Sequence, residues 1–307
     1  MTSIDIADLT KVYGPVRAVD GLTFSVRPGR VTGFLGPNGA GKSTTLRLIL
    51  GLDRPTSGSA AVGGLPYAAL DEPLRRVGAL LDPGAAPGAR TARDQLRTLA
   101  AAGRIPARRV TEVLERTGIA SAADRRIRTL SLGMRQRLGI AAALLGDPEA
   151  LLLDEPSNGL DPEGIVWIRA LLRELAAEGR TVLVSSHLMG ETAEFADHLV
   201  VLGRGRLLAD SGARELIDAW TTPRVRLRTT DGEGLRTLLT GRGYAPEASA
   251  DGRWTVDGAR AADIGALAAD AGIPVLELAD ETGSLEEAFF ALTAGSPEFV
   301  ATRAQEV

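Results

Sequence analysis

The chain contains no cysteine, which excludes a disulfide framework, a cysteine nucleophile and any thiolate metal site. That absence leaves the redox compartment open. Lysine is nearly missing as well: of the 35 basic residues only Lys11 and Lys42 are lysine, and the others are arginine. There are two histidines and three tyrosines. No apolar run is long enough to span a bilayer. The most apolar stretch, LGIAAALLG from Leu138 to Gly146, has about half the required length and ends at Asp147-Pro148. The opening MTSIDIADLTKVYG has no basic segment leading into an apolar one, so no secretory leader is expected. A basic excess is missing too. Residues 1–219 carry 27 basic against 25 acidic residues, and 220–307 carry 8 against 14. Phosphate-backbone binding needs the opposite balance, so no nucleic-acid partner is expected. Where residue types are this scarce, the positions of their few copies carry information.

What is present suits a soluble chain of two domains: 307 residues, 44% hydrophobic and 24% charged. Short β-branched runs alternate with longer helical patterns, which predicts an α/β domain on a largely parallel sheet. Residues 31–35, 150–154 and 181–186 read as buried strands, and 43–52 as a helix whose Leu46, Ile49 and Leu50 face a core. Residues 92–118 read as purely helical, with Pro106 opening a second helix and Val110, Val113 and Leu114 on one face. The pattern breaks at Trp220-Thr221-Thr222-Pro223, which predicts a first domain over 1–219 and a second over 220–307. The second domain follows a β-α-β-β-α-β order plus a last helix, the pattern of a split βαβ unit.

Gly36-Pro37-Asn38-Gly39-Ala40-Gly41-Lys42-Ser43 matches G-x-x-x-x-G-K-[ST] in full, between a predicted strand and a predicted helix. Backbone N–H groups of such a loop converge on phosphate oxygens, and the helix that follows points its positive end at them. Thr44 continues that first helical turn. Lys42 would neutralise the β- and γ-phosphates, and the Ser43 hydroxyl would ligate Mg²⁺. Further on, Leu130-Ser131-Leu132-Gly133-Met134-Arg135-Gln136-Arg137 precedes a helix and then the strand LLLDEP, which ends in Asp154 and Glu155.

The stretch from 130 to 137 resembles the signature sequence of ATP-binding-cassette (ABC) proteins, with Leu132 and Met134 where that family usually has Gly and Gln. The resemblance covers about residues 4–217 and is closest to ATP-binding subunits of the antibiotic-exporter branch. It implies a P-loop NTPase fold, with a RecA-like core sheet, a helical subdomain at about 83–130, and here a small α+β domain after it. It implies ATP and Mg²⁺, with Ser43 and Asp154 serving the metal and Glu155 polarising the attacking water. His187, 33 residues after Asp154, would be the switch histidine, and Asp161 would belong to the D-loop. Ser131, Leu132, Gly133 and Met134 would meet the ATP of a partner cassette. Tyr13 would stack on adenine. Asp82 stands where the family's Q-loop usually has Gln and would lie near the ATP; as a carboxylate it cannot donate as an amide does.

The implied function is ATP hydrolysis that drives export of a small molecule or drug through a separate membrane-spanning permease. The chain would work at the cytoplasmic face of the membrane, as a homodimer or paired with a homologous cassette. Only 89 residues and no sustained heptads separate Lys42 from Ser131, which argues against a chromosome-maintenance ATPase with a long coiled coil. A single cassette with an acidic tail argues against a ribosome-associated factor. Ser284-Leu285-Glu286-Glu287 with Phe289 serves two readings: an extension shared with that exporter branch, or a generic capped helix. Arg125 and Arg126 read as a solvated face as readily as a field for phosphate, and Lys11 reads as a surface charge.

Overall fold

The computed structural model describes residues 2–249, 251–281 and 283–294. Two compact units divide between Gly212 and Ala213.

The first unit opens with β1 (Ile4–Tyr13) and β2 (Val16–Val26), an antiparallel hairpin, followed by β3 (Arg30–Leu35) and α1 (Lys42–Ile49). Next come β4 (Ser57–Val62), α2 (Pro73–Arg76) and β5 (Val77–Leu80), then the helices α3 (Ala92–Ala102), α4 (Arg108–Arg116) and α5 (Leu132–Leu144). The unit continues with β6 (Ala150–Asp154), α6 (Pro162–Ala177), β7 (Thr181–Ser186), α7 (Met189–Ala193), β8 (His198–Gly203) and β9 (Arg206–Gly212). Strands expected at 31–35, 150–154 and 181–186 are present, and the helix after the glycine loop ends at Ile49.

Six strands form the central sheet in the order β5-β6-β7-β3-β8-β9, parallel except for the last pair. Its inner strands are near-continuous apolar runs because both faces are covered. A separate three-stranded sheet, β2-β1-β4, packs its apolar face onto α1 and the central sheet. Ile4, Leu22, Phe24, Phe34, Leu46 and Leu152 share that core, and the Phe24 and Phe34 ring centroids are 5.5 Å apart. Parallel pairing sets the site. Leu35 pairs with Ser186, and Asp154 with Ser185, so the chain leaves β3, β6 and β7 at one edge of the sheet.

The second unit holds α8 (Ala213–Trp220), β10 (Arg224–Thr229), α9 (Gly232–Gly241), β11 (Pro246–Ala248), β12 (Trp254–Asp257), α10 (Ala261–Asp270), β13 (Val275–Glu281) and α11 (Leu285–Ala294). Its sheet runs β11-β12-β10-β13, wholly antiparallel, the arrangement the β-α-β-β-α-β reading predicts. Val225, Leu227 and Val256 face Leu235, Leu239 and Ile264 of the two helices. α8 packs against α11, which ties it to this unit although the sequence break falls at its C-terminal end. Ser284 and Glu287 form a reciprocal cap: each backbone N–H donates to the other's side chain, at 3.0 and 3.1 Å.

Candidate functional site

The glycine loop leaves β3 and feeds α1. Gly41 sits at φ +102°, and a Cβ there would lie 2.5 Å from the carbonyl oxygen of Ala18, so only glycine fits this bend. Asn38, Gly39 and Ser43 are exposed, Pro37 and Thr44 half-buried, and Gly36 and Ala40 buried. Lys42 is 6% exposed. Its ammonium donates to the carbonyls of Gly36 at 2.7 Å and Pro37 at 3.2 Å, and lies 4.0 Å from Oε1 of Glu155. Burial lowers its pKa, and the carboxylates of Glu155 and Asp154 resist that shift.

Asp154 ends β6, and its Oδ1 accepts the hydroxyl of Ser185. The same Ser185 holds the next residue, because the Glu155 N–H donates to both the Ser185 carbonyl (3.2 Å) and its Oγ (3.1 Å). The Glu155 carbonyl in turn accepts from Nε2 of Gln136 at 3.1 Å. These bonds hold Glu155 at φ +49°, a left-handed conformation that is costly for a residue with a side chain. Oε2 of Glu155 lies 2.9 Å from Nδ1 of His187, just beyond β7. Lys42, Asp154, Glu155 and His187 are thus drawn into one cluster at the sheet edge. Among the described residues no group of three or more His, Asp or Glu forms a metal cage. Ser43 and Asp154 offer hard oxygen donors of the kind Mg²⁺ accepts when phosphates and water fill its other positions.

The signature residues lie apart from this cluster. Ser131 caps α5, its Oγ accepting from the Met134 N–H at 3.2 Å. With Leu132, Gly133 and Met134 it lines a cavity of about 420 Å³ completed by Arg137, Gly159 and the Asp161 turn, and no residue of the glycine loop enters it. A Cβ on Gly133 would come within 2.7 Å of the Gly159 carbonyl oxygen, and one on Gly159 within 2.4 Å of the Leu132 side chain. Asp161 caps α6 by accepting from Gly164 N–H at 2.9 Å. Arg137 donates to the Thr117 carbonyl at 3.1 Å and stacks 4.2 Å over the Trp167 ring, joining α4, α5 and α6. Arg125 donates to the Thr129 carbonyl.

Asp82 follows β5, and its Oδ1 accepts from Gly84 N–H at 2.7 Å. No hydrogen bond or ion pair joins it to Lys42, Asp154 or Glu155 among the described residues. It lines instead a groove of about 560 Å³ shared with Arg47, Leu52, Gln95, Arg135 and Leu138.

Tyr13, at the tip of the β1–β2 hairpin, donates its hydroxyl to Asp53 Oδ2 at 2.8 Å. Lys11 is more than a surface charge: its ammonium donates to the Arg54 carbonyl at 2.6 Å and stands 4.7 Å over the Tyr13 ring. The sequence reading missed Asp53, Ser185 and Gln136 as site members. For Ser185 a signal existed, a polar residue inside an otherwise apolar buried strand.

Residues 19–158 match the family model described as ABC transporter, and 223–286 match one described as a domain of unknown function. The bacitracin transport ATP-binding protein BcrA of Bacillus licheniformis is 43% identical over 212 residues, 68% of this chain and 69% of that protein. The Nod factor export ATP-binding protein I of Rhizobium meliloti is 40% identical over 228 residues, 70% of this chain and 66% of that protein. A dimeric structure of the ATP-binding cassette MJ0796 in a post-hydrolysis state, bound to ADP and Pi, superposes with a TM-score of 0.63 at 26% identity, covering 68% of this chain and 98% of that one. The resemblance seen in the motifs thus extends along most of the first unit, and the chain belongs to the ABC transporter family, as one of its ATP-hydrolysing ATP-binding proteins.

Proposed function

We propose that this chain powers an exporter whose membrane-spanning permease is a separate chain, and that it works as a pair of cassettes at the cytoplasmic face of the membrane. One observation carries the pairing: the signature turn lines a cavity into which no residue of the chain's own glycine loop reaches. A nucleotide held by both elements therefore needs a second cassette, a copy of this chain or a homologue. Export is suggested by the relative named for Nod factor export, and drug transport by the relative named for bacitracin.

In this reading residues 36–44 cradle the phosphates, with Lys42 set against the β- and γ-phosphates and Tyr13 beneath the adenine. Mg²⁺, held by Ser43 and by Asp154 through water, would supply charge neutralisation on the phosphate oxygens. Glu155 accepts a proton from the attacking water as its oxygen bonds to the γ-phosphorus and the bond to the β–γ bridging oxygen breaks. His187, 2.9 Å from Glu155, orients that carboxylate. Ser131 and Gly133 of the partner cassette close over the γ-phosphate. The groove beside Asp82 is the docking surface for the permease, with an apolar floor at Leu138 and charged groups at its rim.

The test is Glu155→Gln, which keeps the side-chain shape and removes the base. ATP binding is expected to persist, turnover to fall at least about 100-fold, and a stable dimer to appear in ATP by light scattering. Wild-type turnover in this variant would sink the assignment of the base, and a monomer under saturating ATP would sink the pairing.

A further inference from the structure

The aromatic ring at the tip of the first hairpin is held at two points. Its hydroxyl donates to Asp53 Oδ2 at 2.8 Å. Asp53 is itself gripped by Arg47, whose Nε reaches Oδ2 at 2.7 Å and whose terminal nitrogen reaches Oδ1 at 3.3 Å. Arg47 stands on the last turn of α1, the helix that begins at Lys42. The ammonium of Lys11 covers one face of the ring, anchored by the Arg54 carbonyl. Tyr13 is still 43% exposed.

We propose that Asp53 is a positioning residue for the nucleotide base, locking the Tyr13 ring to the phosphate-loop helix through Arg47 while Lys11 leaves a single ring face for stacking. The inference rests on the reading of Tyr13 as the adenine platform. Its physical content is preorganisation. A phenol at a hairpin tip would otherwise sample several rotamers and lose that freedom on binding. Bonded to a carboxylate that is fixed to α1, it stands at a set span from the loop that takes the phosphates. The arrangement also polarises the carboxylate: the Arg47 guanidinium, then the Tyr13 hydroxyl, bring the pKa of Asp53 down to about 2, so it accepts as an anion at every physiological pH.

A ligand without a base separates this role from general support of the loop. Binding of ATP and of inorganic tripolyphosphate is measured by calorimetry on the full chain and on four variants. Asp53→Ala is expected to weaken ATP roughly three- to tenfold, about the net worth of one hydrogen bond, with tripolyphosphate affinity kept. Asp53→Asn, which retains an acceptor for the phenol, recovers most of that loss. Tyr13→Phe removes the hydroxyl without touching the carboxylate and reproduces the split if Asp53→Ala does not fold. Tyr13→Ala weakens ATP further. Equal loss for both ligands in Asp53→Ala and Tyr13→Phe would make the network a scaffold only and overturn the proposal. Loss of ATP affinity in Tyr13→Ala with none in Asp53→Ala or Tyr13→Phe would leave the platform standing and remove Asp53 from it. Unchanged ATP binding in Tyr13→Ala would remove the platform itself.

Discussion

Gln136 offers the sharpest test of how the site is held. It is 1% exposed on α5, its Nε2 donates to the Glu155 carbonyl at 3.1 Å, and its own Oε1 has no partner among the described residues. Gln136→Leu nearly conserves volume, removes that bond and removes the orphaned oxygen. The Glu155 carbonyl keeps its bond from the Asn158 N–H at 3.1 Å, so losing the Gln136 bond costs about 0.5–1.5 kcal/mol, and eliminating the unpaired Oε1 returns roughly 1 kcal/mol. The two nearly cancel, leaving a net change within about 0.5 kcal/mol and a Tm of the first unit shifted by no more than about 2 °C. Catalysis should fall further than stability. Glu155 is kept at φ +49° by its bonds to Ser185 and Gln136, and releasing one end lets the peptide relax toward ordinary dihedrals. Its carboxylate then swings away from His187, and a loss of about 1.4 kcal/mol in transition-state stabilisation is a tenfold drop in rate. Scanning calorimetry and turnover at saturating ATP read the two effects separately. A fall in turnover with Tm nearly unchanged is expected; undiminished turnover would refute the reasoning.

Three further outcomes are expected. Gly41→Ala places a Cβ 2.5 Å from the Ala18 carbonyl at φ +102°, so fluorescent-nucleotide titration should show a loss of ATP affinity of about fivefold or more from strain of roughly 1–3 kcal/mol. Asp53 has a folded pKa of about 2 against an ordinary value of 3.8, so its stabilising contribution is complete above pH 4 and fades as pH falls toward 2; carboxyl-carbon NMR should place its midpoint below those of exposed aspartates. Arg137→Met removes the stack on Trp167 and the bond to the Thr117 carbonyl, with an expected cost of about 1–2 kcal/mol in urea unfolding followed by tryptophan fluorescence.

The elements that the sequence disclosed are those in which chemistry or burial leaves little choice. Phosphate binding needs glycines at positive φ and an ammonium in a tight space, so residues 36–43 announce a loop between strand and helix. Ala150–Asp154 and Thr181–Ser186 are buried on both faces and therefore read as unbroken apolar runs. The second unit was legible through alternation, with Val225 and Leu227 inward and arginines between them. What stayed hidden depends on contacts far apart in sequence. Asp53 looks like any loop aspartate until the hairpin brings Tyr13 to it across 40 residues. Ser185 supports the 154–155 pair only because β6 and β7 are neighbours. Lys11 looked idle because nothing in LTKVYG says which strand face meets Arg54. The α8 helix belongs to the second unit because α11, 65 or more residues later, packs on it.

Gly133 lies against the Gly159 backbone and Gly159 against the Leu132 side chain, with no room for a Cβ at either, and Asp161 then fixes the start of α6. Such a joint has no slack. In the paired arrangement proposed above, a displacement of the signature turn by one nucleotide is passed undamped to the turn that leads back to Glu155. The two hydrolysis sites would then keep time with each other.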